Sequence, residues 1–141
     1  MTTSIKSGIV FGICALLVVS SVANGQGKDK KKAPSIAGNY TFVGNQGGDD
    51  YTGTATITAH GDAFKVILID GEVNEAGGHN VDSGIGILTG RVLSVCWVSD
   101  VDDSKGIVVF RLSKDDKKLV GKWAYFGGEG KLFTETLTKV E

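Results

Sequence analysis

The chain is poor in the residues that most often announce chemistry. Among 141 residues there is one proline, and cysteine and histidine each occur twice. So few cysteines exclude a disulfide-stapled scaffold. His60 and His79 both fall in segments that read as turns, where lone solvated imidazoles are the ordinary outcome. No Gly-x-Ser-x-Gly elbow, His-Glu-x-x-His, Cys-x-x-Cys or phosphate-cradling loop is present. Neither an enzyme nor a cofactor is therefore expected. Long apolar runs are also missing: Ile9 to Val19 falls short of the roughly 20 residues that span a bilayer as a helix.

That short run has a different reading. Lys6 precedes it, and small residues follow in Ser21-Val22-Ala23 and Ala23-Asn24-Gly25, the order of a secretory signal. Cleavage is expected at Gly25, with Ala23 as the alternative, giving a secreted or periplasmic protein without a stable membrane span. Removing the signal takes Cys14 with it and leaves Cys96 without an intrachain partner. Cys96 lies within the apolar stretch Arg91 to Val98 and reads as a small buried hydrophobe.

The domain organisation that follows is a signal over residues 1–25, a lysine-rich linker over 26–35 and one domain over 36–141. The formal net charge is −1, and Lys6 is the only charge in the signal, so the exported chain carries −2. Lys28, Lys30, Lys31 and Lys32 crowd the linker, and the remainder is acidic. A solvated spacer explains this basic run; weak attraction to anionic envelope polymers is the alternative. An acidic domain excludes nucleic acid as a partner, because phosphate neutralisation needs clustered cations.

From Ser35 onward the apolar periodicity is that of strands broken by Gly, Asn and Asp clusters. Eight strands are expected: Gly38 to Val43, Tyr51 to Ala59, Ala63 to Ile69, Ser83 to Leu88, Val92 to Ser99, Gly106 to Ser113, Leu119 to Tyr125, and Lys131 to Val140. Tight turns at His60-Gly61-Asp62, Thr89-Gly90-Arg91, Asp115-Asp116-Lys117 and Gly127-Gly128-Glu129-Gly130 make neighbours antiparallel. The fold class is all-β, an up-and-down meander closed into a small barrel, with a two-sheet sandwich as the alternative. Gly53, Gly84, Gly86 and Gly121 would relieve crowding where such a barrel curves.

Alternation assigns the faces. Tyr51, Gly53, Ala55 and Ile57 share one face against a threonine ladder, Thr52, Thr54, Thr56 and Thr58, suited to water. Later strands are apolar on both faces: Val92, Cys96 and Val98 oppose Leu93, Val95 and Trp97, while Ile107, Val109 and Arg111 oppose Val108, Phe110 and Leu112. Fuller cover is expected there.

The order of these segments also resembles a known family. Gly38-Asn39-Tyr40, Tyr51-Thr52-Gly53-Thr54-Ala55-Thr56-Ile57, Gly61-Asp62-Ala63-Phe64-Lys65-Val66 and Gly84-Ile85-Gly86-Ile87 are followed by Leu93-Ser94-Val95, Gly106-Ile107-Val108-Val109-Phe110, Leu119-Val120-Gly121-Lys122-Trp123 and Glu135-Thr136-Leu137. Together they are similar to small exported bacterial β-barrel-like proteins, some of them labelled fibronectin-binding. The resemblance implies export, a small barrel and an extracellular or envelope protein as partner.

Candidate site residues are few. Glu135 shares a face with Phe133 and Leu137, so an inward face would bury its carboxyl and require a partner: the Trp123 indole, a tyrosine hydroxyl or Arg111. It reads first as a satisfied plug fixing strand register, with a ligand anchor as the alternative. Glu72 to Asp82 reads as a long connection, with His79 and Asn80 as contact candidates. Asp100, Asp102 and Asp103 begin like an EF-hand loop, but Lys105 stands where that loop needs glycine and Arg111 where it needs a carboxylate, so no metal is assigned. Asp49, Asp50 and Asp82 are expected to approach one another at one barrel end. Three function classes are compatible with these residues: a binding or adhesion module, an envelope inhibitor of a hydrolase such as lysozyme or a protease, and a structural envelope protein.

Overall fold

The computed structural model describes residues 34–141. The signal, its cleavage position at Gly25 and the linker lysines lie outside the described residues. From Gly38 the chain runs as β1 (Gly38–Gln46), β2 (Asp49–His60), β3 (Ala63–Val73), β4 (His79–Thr89), β5 (Val92–Ser99), β6 (Lys105–Leu112), β7 (Lys118–Tyr125) and β8 (Phe133–Lys139). Each strand pairs antiparallel with the next, and β8 returns to β1, so the sheet is a closed barrel in sequence order. Closure gives every strand two partners and leaves no open edge.

The turns explain the meander. Gly61 and Gly90, at φ of 60° and 61°, occupy the left-handed region that the short β2–β3 and β4–β5 hairpins require. The β3–β4 connection differs from expectation. Strand pairing continues to Val73 and His79, with a register shift between Ile69 and Val73, so the stretch from Glu72 to Asp82 is mostly hairpin rather than free loop. Asn74 makes the tight reversal possible: its Oδ1 accepts the amides of Ala76 and Gly78, and its own amide donates to Gly78 O. The side chain thus supplies locally the hydrogen bonds that a longer loop would have sought from water.

Large and small residues alternate around the inner wall. A Cβ on Gly121 would lie 2.5 Å from the Phe110 ring, and one on Gly53 would lie 2.5 Å from the Phe42 ring. Gly44 lies under the Tyr51 ring and Gly106 under Trp97 in the same way. Each pair sits opposite in register on adjacent strands, so the glycine yields the room that its neighbour fills.

Packing is concentrated at one end. Ile36, Ile57, Leu93, Leu119 and Leu137 are fully buried beside the turns β2–β3, β4–β5 and β6–β7, with Phe110 and Tyr40 among them. The Tyr40 hydroxyl donates to Ile36 O at 2.6 Å, tying the segment before β1 across this end. We call it the closed end.

The outer face corrects one expectation. Ile85, Ile87, Val98, Ile107, Val109 and Val120 are exposed, and so is Cys96. In register, Ile85, Cys96, Ile107 and Ala124 form one row across β4 to β7. Cys96 stands between the inward-facing Val95 and Trp97, and a period of two sends it outward. A closed barrel has a single interior, and among the described residues no second layer covers this face. These side chains are apolar because β-branched residues suit a pleated strand, not because they are buried.

Candidate functional site

The other half of the barrel is open. A cavity of about 1050 Å³ begins at Val66, Val95 and Val108 and reaches the turns β1–β2, β3–β4 and β5–β6. Its lower wall is aromatic and aliphatic, with Phe42, Tyr51, Leu68, Trp97 and Trp123. Its mouth is polar, with Gln46, Asn80, Ser99, Ser104 and several carboxylates. Alternation along each strand builds this wall, and packing at the closed end stops short of filling it.

Glu135 is 5% exposed, the buried charged-type side chain among the described residues, and it lines the cavity. It stands opposite two glycines in register, Gly44 of β1 and Gly121 of β7, which the rings of Tyr51 and Phe110 overlie. Gly44 also stands opposite Tyr51, whose ring lies across the glycine toward Glu135. The Tyr51 hydroxyl then reaches Glu135 Oε1 at 3.4 Å, a long hydrogen bond, and accepts the Trp123 Nε1 hydrogen at 2.7 Å. Trp123 is held in turn by edge contact with Trp97, ring centroids 5.8 Å apart, and by Phe133 at 4.6 Å. The result is a relay from indole to phenol to carboxyl along the cavity wall.

Electrostatics follows from burial. Loss of water pushes the Glu135 carboxyl up to about 8; the like charge of Asp82 on the opposite wall adds to this, and the Tyr51 hydrogen bond opposes it. Burial also raises Tyr51, with Glu135 as the next cause. Asp82 is raised by burial and by the like charges of Asp100, Asp102 and Asp70, against a hydrogen bond from Ser99. At neutral pH Glu135 is thus mostly protonated, a carboxylic acid in a partly apolar cavity.

The remaining candidates separate. Trp123 meets Glu135 only through Tyr51, which the sequence reading admitted as an unspecified tyrosine hydroxyl. Arg111 does not serve Glu135 at all. It is exposed between the inward-facing Phe110 and Leu112, so strand parity puts it outside the barrel. Asn80 lines the mouth and accepts a hydrogen bond from Asn74, whereas His79 is exposed with Nδ1 3.0 Å from Glu72 O. His60 closes β2 at the opposite end from His79.

The acidic turn after β5 has backbone tasks. Asp100 Oδ1 accepts the Val81 amide at 2.9 Å, and Asp102 Oδ1 accepts the Ser104 amide at 3.0 Å. No group of three His, Cys, Asp or Glu side chains that could hold a metal ion occurs among the described residues, Asp103 included. Asp49, Asp50 and Asp82 do line one cavity, joined by Asp70, Glu72 and Asp102. Sequence reasoning passed over Asp70 and Leu68 as site residues, and it put Trp97 on a strand apolar on both faces without choosing the inward one or giving it a role. Their parity was readable; which barrel half stays unfilled was not. No family model matches the chain, and no curated protein matches it in sequence.

Proposed function

We propose that this is an exported binding protein whose site is the open half of the barrel, a receptacle for a small molecule. The observation that carries the reading is Glu135, a buried carboxyl with one long hydrogen bond on the wall of an open, aromatic-lined cavity. A carboxyl serving only to fix strand register would be enclosed by donors. Here among the described residues only Tyr51 reaches it, and the cavity supplies the remaining space. Apolar walls with a few convergent polar groups are the usual composition of small-molecule sites. Native mass spectrometry of protein recovered from its secreting cells tests the reading. A bound small molecule is expected, and Leu68→Trp, which fills the cavity, should lose it. Wild-type protein free of any adduct, and unresponsive to metabolite extracts, would count against it.

A second reading is adhesion to an extracellular protein through the rim. Phe126 is 78% exposed and Leu132 66%, both in the β7–β8 connection at the open end, with Val73 and Val101 also exposed there. Exposed apolar side chains clustered at one end suit a protein contact. Retention on immobilised extracellular-matrix protein that falls in the Phe126→Ser, Leu132→Ser double variant, but persists in Leu68→Trp, would favour it.

A further inference from the structure

We propose that the ligand of this cavity is a small organic cation, an ammonium group carried on an apolar body, with its nitrogen held between Glu135 and the rings of Tyr51, Trp97 and Trp123. The proposal rests on the reading of the barrel interior as a binding site and adds its chemical class. Lining side chains of acidic type are Asp49, Asp50, Asp70, Glu72, Asp82, Asp102 and Glu135, and among the described residues no lysine, arginine or histidine lines the cavity. Such a wall repels anions and focuses cations toward the interior.

The lower wall then selects among cations. Trp97 and Trp123 meet edge to face at 78°, and Tyr51 meets Trp123 at 81°, so ring planes turn different ways around one space. Ring faces attract cations, most strongly those whose hydration is cheap to remove, and quaternary or alkyl ammonium groups fit that description. An inorganic divalent ion would instead need several oxygens converging at short range. The carboxylates here are spread from mouth to floor over different strands, and none form a metal-holding group among the described residues.

Binding would be coupled to one proton. Tyr51 from β2 and Asp82 from β4 are the ionisable groups that bear on Glu135, while β1 and β7 present Gly44, Gly121 and Trp123. A cation beside Glu135 favours the carboxylate, so a protonated Glu135 releases its proton as the cation enters.

Trp97 and Trp123 are the only tryptophans in the chain, and both line the cavity, so intrinsic emission reports occupancy. The full exported chain is titrated with benzyltrimethylammonium, which has no proton of its own, and with benzyl alcohol, benzoate and calcium chloride. The cation is expected to give a saturable shift at least about tenfold tighter than the alcohol, and benzoate none. Its affinity should rise about tenfold per pH unit up to about 8 and then level off, as expected for release of one proton. Glu135→Gln, nearly isosteric with the protonated acid, should weaken binding about tenfold and flatten that profile, and Asp82→Asn should weaken it less. Val120→Thr on the outer face should change nothing. Equal or tighter binding of benzyl alcohol or benzoate would overturn the cation and leave the cavity reading standing. Calcium binding that depends on Glu135 would replace it with an inorganic ion. Silence from all four probes would remove both readings.

Discussion

A carboxyl group largely withdrawn from water makes stability depend on pH. Glu135 ionises near the ordinary carboxyl value of 4.5 when unfolded and at about 8 when folded, so between these values the folded state holds the extra proton. Stability is therefore greatest below the lower value and declines as pH rises toward the upper one, by at most about 1.4 kcal/mol per unit. Urea titrations from pH 5 to 8 should show the decline, and Glu135→Gln should reduce it; an unchanged slope would mean that Asp82 or another group is responsible. Tyr51 supplies a second test. Tyr51→Phe leaves the Trp123 indole hydrogen and the Glu135 carboxyl without their shared partner, an expected cost of about 1–3 kcal/mol. It should also raise the Glu135 titration midpoint further, measured by carboxyl NMR, because the lost hydrogen bond favours the ionised form. The inward position of Glu135 was legible from its parity with Phe133 and Leu137. Its partner was not, because Tyr51 reaches it across Gly44, and a three-strand register cannot be read from local alternation.

Single strands and hairpins were legible where turn chemistry is local. Val92–Ser99 has the ends expected from its pattern because Gly90 on one side and Asp100 on the other interrupt alternation. The β3–β4 hairpin was misread as a loop because polar residues such as Asp70, Glu72 and Asp82 looked like turn formers, although they alternate along strands that rise beside an aqueous mouth. Asn74 anchors that reversal, and Asn74→Ala should cost about 1 kcal/mol. Hydrogen exchange should quicken from Glu72 to Asn80 and stay unchanged at the closed end. The outer row on β4 to β7 carries its own prediction. Cys96 should react fully with a thiol reagent in the native state, without waiting for unfolding. Apolar content alone suggested burial there; strand parity was the better guide.

Over the whole molecule, closure of β1 on β8 and the packing around Ile36, Leu93, Leu119 and Leu137 set the cooperative unit. Leu137→Ala should destabilise by about 2–5 kcal/mol, read from the urea midpoint. Leu68→Ala, which borders existing empty space, should cost clearly less. Equal costs would mean that the open half is as tightly organised as the closed one. The barrel itself could be read from strand number and turn chemistry, since eight antiparallel strands joined mostly by short turns close readily. The cavity could not, because filling depends on how inward side chains from several staggered strands meet, and one residue's parity says nothing about its neighbour's depth.

The separation of a packed end from an open one has an evolutionary corollary. Side chains such as Leu68, Asp70, Asp82 and Ser99 hold up little of the core, so their replacement should be tolerated far more widely than that of residues beneath them. A lineage of such barrels could exchange one ligand for another by drift at the mouth while its folding nucleus stayed fixed, and randomised libraries confined to those four positions would retrace that path in the laboratory.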